Sequence, residues 1–492
     1  MIDAAGGGLR AGYSVVDITP PPGVDLTGFG AREGPCVGTL DPLQARALVF
    51  EDASGRRVAL VTCDLIGLGR HLVARVRRRV AEVAGIPAAG QLFNCSHTHA
   101  GPETGVLTTI GVPDPAYLAA LEERLVAVLA EAATALFPVR LRLASTEVED
   151  GLAINRVFRR IGQPERYDRQ LTVVRIERVP PTGAAAVGES AGRPLATIVA
   201  FACHAVTLGA AERHASADFV APLRHDLEAA GSGPVLYVNG CGGDVNPAAM
   251  DARGREATDA LGRELARAAR RAQARALSEE GPIQEGSTEE GPTEEEPSAA
   301  VSPEAGSPPG SPLQEVSASG GVGAAQEWVA LPFQPLRTPA ELAEILAHGR
   351  ARLAEAPSGS PAYRAAQVTE VDYPLRVLRL HYGSELLPEV RAEVQAIKVG
   401  PIAIVALPGE IFSSLGRAIK EAAPFPAPRT IVAGWSNDNV GYIPDRDAYP
   451  LGGYEVDLAS RYYGYPAGWA EGAGEALVAT AGRVLARLAK ES

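Results

Sequence analysis

Phe93-Asn94-Cys95-Ser96-His97-Thr98-His99-Ala100-Gly101-Pro102-Glu103 is the stretch on which the fold turns: a short apolar run ends in two histidines one residue apart, and a Gly-Pro turn follows. If the extended run from Gln91 continues through His99, its period of two puts both imidazoles on one face, where they converge on one metal or substrate. Imidazole is the commonest protein ligand for zinc and the usual proton shuttle near neutral pH. Standing alone, a His-X-His pair reads equally well as a polar turn with two solvated rings. The rest of the chain decides between the two.

Outward from this stretch, five apolar strands share one feature at their carboxyl ends. QLFNCS leads into His97 and His99, ATIVAFAC into His204, VLYVNGCGG into Asp244 and Asn246, IAIVALPG into Glu410, and TIVAGWSN into the loop that carries Tyr442. In open α/β sheets ligands bind beyond the carboxyl ends of the strands, so five such endings are expected to meet in one crevice. Two or three histidines and a carboxylate gathered there fit a catalytic zinc site with one position left for water, and hydrolysis is the reaction class that follows. Taken singly, His204 reads also as a satisfied core histidine and Glu410 as a helix-capping carboxylate. Gly240 to Gly243 lacks the trailing Lys-Ser/Thr of a phosphate-cradling loop. Cys95, Cys203 and Cys241 are soft potential ligands, read here as small buried residues packing behind the site. His71, His214, His225, His348 and His381 lack a strand-end context and are read as structural or solvated.

Between these strands the pattern alternates. A strand is expected over Ala11 to Thr19, and a hairpin of Ala45 to Phe50 with Arg57 to Cys63 across the turn Asp52 to Gly55. Leu72, Val73, Val76, Val80 and Val83 fall at helical spacing, and a second helix opens at Asp114-Pro115. Further strands are expected over 139–144, 171–176, 195–203 and 234–239, with helices over 218–230 and 253–277. Thr338-Pro339-Ala340-Glu341 is a capping box with Pro at the first helical position. Strands at Tyr373 to His381, Glu393 to Val399, Ile402 to Leu407 and Thr430 to Ala433 follow, then a long polar and aromatic loop from Ser436 to Pro466 and a closing helix over 470–488. This predicts an α/β fold of mixed β-sheets layered with helices, one large catalytic domain over 9–277 and 326–490. Residues 278–325 turn to Glu, Gly, Pro and Ser with few apolar residues, a composition unable to offset its ordering entropy. They are expected to form a disordered acidic insertion.

At 492 residues with 46% hydrophobic residues the chain is long and apolar enough for a large core. A formal net charge of −13 argues against nucleic acid and anionic membrane surfaces as partners, since both reward a basic patch. Five scattered cysteines make no disulfide framework, and no run approaches the ~18 apolar residues of a transmembrane segment. The start, MIDAAGGGLRAGYSVVDITPPPG, lacks the basic and apolar regions of a signal peptide, so a soluble, cytoplasmic protein is expected.

SHTHAGPET at 96–104, INR at 154–156, FACHAVT at 201–207, GGDVNP at 242–247, LPGEIF at 407–412, and NVGYIPDRDAY with GGYE at 439–455 resemble, in order, the blocks of the neutral/alkaline (non-lysosomal) ceramidase family. The opening AGYSVVDITPP is similar to that family's start, and the resemblance spans nearly all of the chain outside the acidic stretch. It implies a zinc ion held by His97, His204, Glu410 and Tyr442, with His99, Arg156 and Tyr454 around the scissile amide of a small-molecule or lipid-like substrate. In that arrangement His99 is a proton shuttle, while Arg156 and Tyr454 stabilise charge on the carbonyl oxygen. Two departures stand out. Asn246 occupies the place of the family's serine, and an amide cannot form an acyl-enzyme, which leaves activated water as the nucleophile. The chain as given also ends soon after Tyr454, so neither the family's C-terminal β-sandwich nor its secretion signal is expected. The reading is a zinc-dependent amidohydrolase acting on ceramide or a smaller N-acyl or ester substrate; the alternative is an altered family member that binds metal and ligand without turnover.

Overall fold

In the strands Gln44–Glu51 and Arg57–Cys63 alternate side chains go to different cores. Ala47, Val49, Ala59 and Val61 enter one, and Leu48, Phe50, Val58 and Leu60 enter another. Strands buried on both faces belong inside a layered molecule. The two pair antiparallel through the expected hairpin, whose turn is closed by the Gly55 amide donating to Asp52 O at 2.9 Å. The computed structural model describes residues 8–107, 110–162, 166–179, 194–249, 253–279, 314–316, 321–383 and 389–490.

This hairpin sits in a nine-stranded sheet with the order 235–239, 194–201, 170–178, 137–147, 10–17, 44–51, 57–63 and 91–95, strand 314–316 pairing beside 137–147. The pairs at the two extremes of this order are parallel, and the pairs between them are antiparallel. A four-stranded sheet, 322–332, 389–399, 402–406 and 430–433, lies against it: Ile397, Ile402, Ile404 and Ile431 share a core with Leu48, Leu60, Ile198 and Leu236. The other face of the large sheet buries the helices Arg70–Ala84, Pro115–Ala132, Val220–Ala229 and Arg255–Glu279. The other face of the small sheet buries Ser413–Ala422 and Ala473–Lys490. The result is four layers, helix, sheet, sheet, helix, in a single mixed α/β domain. No helix among the described residues is long and apolar enough to cross a membrane.

The outermost strands of the large sheet meet through side chains. Asn94 Nδ2 donates to Asn239 O at 3.1 Å, and the Asn239 amide donates to Asn94 Oδ1 at 2.9 Å. The segment after strand 430–433 enters the same seam: Asn94 Nδ2 donates to Gly434 O at 2.7 Å, and the Cys95 amide to Trp435 O at 3.1 Å. Three strands from two sheets thus end at one place.

The structure corrects three expectations. Tyr373–Tyr382 is an α-helix and not a strand; Tyr373 and Val377, four apart, bury one face, and Pro374, its second residue, comes just after the π-helical turn Gln367–Asp372. Strand pairing resumes before residue 326, since Gln314–Val316 and Val322–Pro332 both lie in ladders. The remainder of the proposed insertion falls outside the described residues. The aromatic loop after Ser436 carries the strand Tyr442–Ile443 and short helical turns at Arg446–Leu451, Tyr454–Leu458 and Ala459–Arg461.

Candidate metal centre

His97 and His99 do come together, by a different route from the one their spacing suggested. Strand Gln91–Cys95 ends two residues before His97, whose backbone is left-handed at φ 60°. Trp435 and Asn437 across the seam are left-handed too, at φ 43° and 64°, and strained backbone of this kind gathers where a site requires a particular geometry. The turn is fixed by the His97 amide donating to Leu65 O at 2.9 Å and the His99 amide to Ala205 O at 3.1 Å. His204 follows strand Pro194–Phe201 and is tied by its own amide to Val245 O at 3.0 Å. Glu410 and Tyr442 lie directly opposite one another in a two-stranded parallel ladder. That register is what delivers a tyrosine to the same spot as a carboxylate.

The ring nitrogens have defined roles. His97 Nδ1–H donates to Ile66 O and His204 Nδ1–H to Gly242 O, each at 2.7 Å, so both Nε2 atoms turn lone pairs inward. Glu410 Oε2 lies 3.3 Å from His97 Nε2 and 2.9 Å from His204 Nε2, and the Tyr442 hydroxyl lies 3.3 Å from His204 Nε2. His99 Nε2 is 3.2 Å from His97 Nε2, and nitrogens of all three histidines fall within 4.8 Å of one another. Converging acceptor atoms repel unless a cation or a proton sits among them, so the donor set fits a divalent metal. His99 is a further nitrogen in this set as well as the group nearest its outer side, for its ring is partly exposed while His97, His204 and Glu410 are buried.

Burial sets the protonation states. It pulls His204 down to about 4 and His99 well below the usual histidine range, keeping both neutral near pH 7. Burial opposes charge on Glu410, but the neighbouring His97 and His204 outweigh it and hold the carboxyl well below its ordinary value. Burial also raises the Tyr442 hydroxyl, against the lowering effect of Arg156. Burial works against the charge on Arg156, yet Tyr442 and Glu455 keep it a cation. The Arg156 guanidinium lies 5.1 Å from the Tyr442 ring centroid, 2.9 Å from Glu455 Oε1, and donates to Gly243 O at 2.8 Å.

Of the remaining expected residues, Tyr454 packs its half-exposed ring edge-on to Tyr442 with centroids 5.6 Å apart. Asn246 stands opposite Ile154 in a short antiparallel ladder; it is buried, its Oδ1 has no hydrogen-bond partner, and among the described residues no hydrogen bond joins it to the histidines. Asp244 serves a junction: it accepts from the Ser413 amide at 2.7 Å and hydroxyl at 3.0 Å and from Asn155, and burial raises it to about 6. Cys95, Cys203 and Cys241 are buried free thiols. His71, His214, His225, His348 and His381 lie outside the cluster.

Two contributors were not legible in the sequence. Tyr463 donates its hydroxyl to Glu410 Oε1, and Trp435 stacks on His97 with centroids 4.6 Å apart while meeting His204 edge-on at 5.4 Å. The density of tyrosines in RYYGYP was the one available signal, and it does not say which ring faces inward.

No family model matches the chain, and no curated protein matches it. Solved structures do match it, among them the following two. One, described as a ceramidase complexed with C2, superposes with a TM-score of 0.69 at 16% identity over 98% of this chain and 76% of its own. The other, the neutral ceramidase from Pseudomonas aeruginosa, superposes with a TM-score of 0.67 at 18% identity over 98% of this chain and 75% of its own. The mixed α/β domain built here around one histidine cluster therefore has the fold found in those ceramidases.

Proposed function

We propose that the chain is a zinc-dependent hydrolase cleaving a linear amide (N-acyl) bond, in ceramide or in a smaller N-acyl or ester substrate. One observation carries the reading: two backbone-anchored imidazoles and a buried carboxylate oxygen turn their lone pairs toward a common point, with separations of 2.9 and 3.3 Å from the carboxylate. His97, His204, Glu410 and Tyr442 would hold the ion, which when bound supplies a Lewis acid for the carbonyl and for water. Around that point the chain's own groups divide the work. Arg156, kept cationic by Tyr442 and Glu455, supplies positive charge beside the Tyr442 ring, and Tyr454 supplies a hydroxyl next to it; together they would stabilise negative charge on the carbonyl oxygen. His99, neutral and partly exposed with an unpartnered Nδ1, is placed to carry a proton to the departing amine. The ceramidases of the same fold support the choice of an amide as substrate.

The test is metal analysis of the purified protein together with a panel of N-acyl amides that includes ceramide. Zinc near one equivalent and hydrolysis abolished by chelation are expected; full hydrolysis after exhaustive chelation would exclude the mechanism. Asn246, with its unpartnered Oδ1, favours a second reading in which metal and ligand are bound without turnover. Activity in the parent supports the enzyme, whereas activity appearing only in Asn246→Ser supports binding alone.

A further inference from the structure

A cavity of about 240 Å³ is bounded by Phe29, Arg32, Arg364 and Tyr462. Its lining residue Phe29 meets the His99 ring edge-on at 5.0 Å, and its lining residue Tyr462 lies 6.1 Å from the Tyr454 ring. One lining ring of the cavity thus touches His99 and another faces Tyr454. Among the described lining residues it carries two guanidiniums, Arg32 and Arg364, against one carboxylate, Asp25.

Neither guanidinium is used up in an ion pair. Arg32 is buried and donates only to backbone carbonyls: Glu212 O at 2.9 Å, Thr27 O at 2.8 Å and His99 O at 2.6 Å. Arg364, half-buried in the short helix Pro361–Ala366, donates to Gly30 O at 3.1 Å, to Arg32 O at 3.2 Å and to Gly359 O. No carboxylate among the described residues lies within ion-pair distance of either. Asp25 accepts instead from the Val112 amide at 3.0 Å, and the Glu212 carboxylate is taken by the Arg213 and His214 amides and by His214 Nδ1. A buried cation outside any direct ion pair is costly to keep, and burial pulls Arg32 down to about 10 although the charge of nearby Glu212 works the other way. A guanidinium with N–H groups to spare is also the best protein partner for a carboxylate.

We infer that this cavity takes an anionic group of the substrate, a carboxylate carried close to the scissile bond, so that the preferred substrates are short N-acyl amino acids rather than neutral amides. The inference rests on the proposed amide hydrolysis at the histidine cluster. Its size agrees, being below the usual several hundred cubic ångströms of a site that swallows a drug-sized ligand.

The experiment compares N-octanoylglycine with N-octanoylglycinamide in the metal-loaded full chain and in Arg364→Met, a change at a half-buried side chain. In the parent, kcat/KM for the carboxylate is expected to exceed that for the amide by about tenfold or more, and Arg364→Met is expected to bring the ratio near one, chiefly through KM. Equal turnover of both compounds, or a preference that survives Arg364→Met, overturns the inference while leaving amide hydrolysis standing. Calorimetric titration of the same two compounds separates the claims if neither is cleaved. Tighter binding of the carboxylate that is lost in Arg364→Met then upholds the cavity assignment and removes only the chemistry; equal binding removes the assignment.

Discussion

Glu410 is positioned by a tyrosine that no motif announced. The Tyr463 hydroxyl donates to Glu410 Oε1, leaving Oε2 to face His97 and His204. Groups that orient a metal ligand from behind are worth roughly 10- to 100-fold in metal affinity, so Tyr463→Phe should weaken metal binding by about that factor without unfolding the chain. Competition against a chromogenic chelator measures it; unchanged affinity would show that Tyr463 is only packing. Glu103, in the stretch that opened the sequence reading, offers a pH test. Burial raises this carboxyl to about 7 although it accepts from the Gly105, Val106 and Leu107 amides. The folded chain thus holds the proton more tightly than the unfolded one, so the stabilisation is complete below ~4.5 and is lost as pH rises through ~4.5 toward 7. Glu103→Gln keeps an acceptor oxygen and cannot ionise, and it should melt above the parent at pH 8 with no such gain at pH 4. Scanning calorimetry at the two pH values decides, and an equal effect at both would refute the assignment. Residue identity was legible where chemistry is scarce, as at His97, His204 and Glu410. It was not legible for Tyr463, because a chain rich in tyrosine near its end gives no sign of which ring turns inward.

Among elements, the seam between strands Gln91–Cys95 and Val235–Asn239 matters most to the site. Asn94 gives its amide nitrogen to Asn239 O, Gly434 O and Ser436 Oγ and accepts from the Asn239 amide, all in a buried setting. Asn94→Ala leaves several of these groups without partners, and at ~1–3 kcal/mol each the loss should come to about 3 kcal/mol in urea unfolding, with metal affinity falling as the His97 turn loosens. A loss below about 0.5 kcal/mol would mean that the edges are held by packing alone. The hairpin of 44–51 and 57–63 could be read from its apolar runs and the turn between them, because both faces of each strand enter a core. The stretch 373–382 misled because Tyr and Val in YPLRVLRLHY favour a strand by type, while packing selects the four-residue repeat of Tyr373 and Val377. The His97 to His99 spacing suggested a continuous strand, yet tertiary bonds to Leu65 O and Ala205 O impose a left-handed turn instead.

At the scale of the molecule, the acidic composition between the two halves predicts that the layers do not need it. Replacing residues 281–312 with a short Gly-Ser linker should leave the melting temperature within about 2 °C and the metal content unchanged, since loop length enters stability only logarithmically. A fall of 10 °C or more would show that this stretch packs against the domain. The sequence by itself determined the class of fold, the strand-end positions of His97, His204 and Glu410, and the acidic break in composition. Those follow from periodicity and residue chemistry, which are local. Only the tertiary structure decided that two sheets stack into four layers, that Asn94 and Asn239 join the sheet's edges, that Glu410 and Tyr442 stand in register, and that Arg32 and Arg364 line one cavity with no carboxylate of the described residues in ion-pair distance of either. These depend on which distant segments come into contact, and contact between segments hundreds of residues apart is fixed by the joint packing of the whole core, not by any one stretch of it.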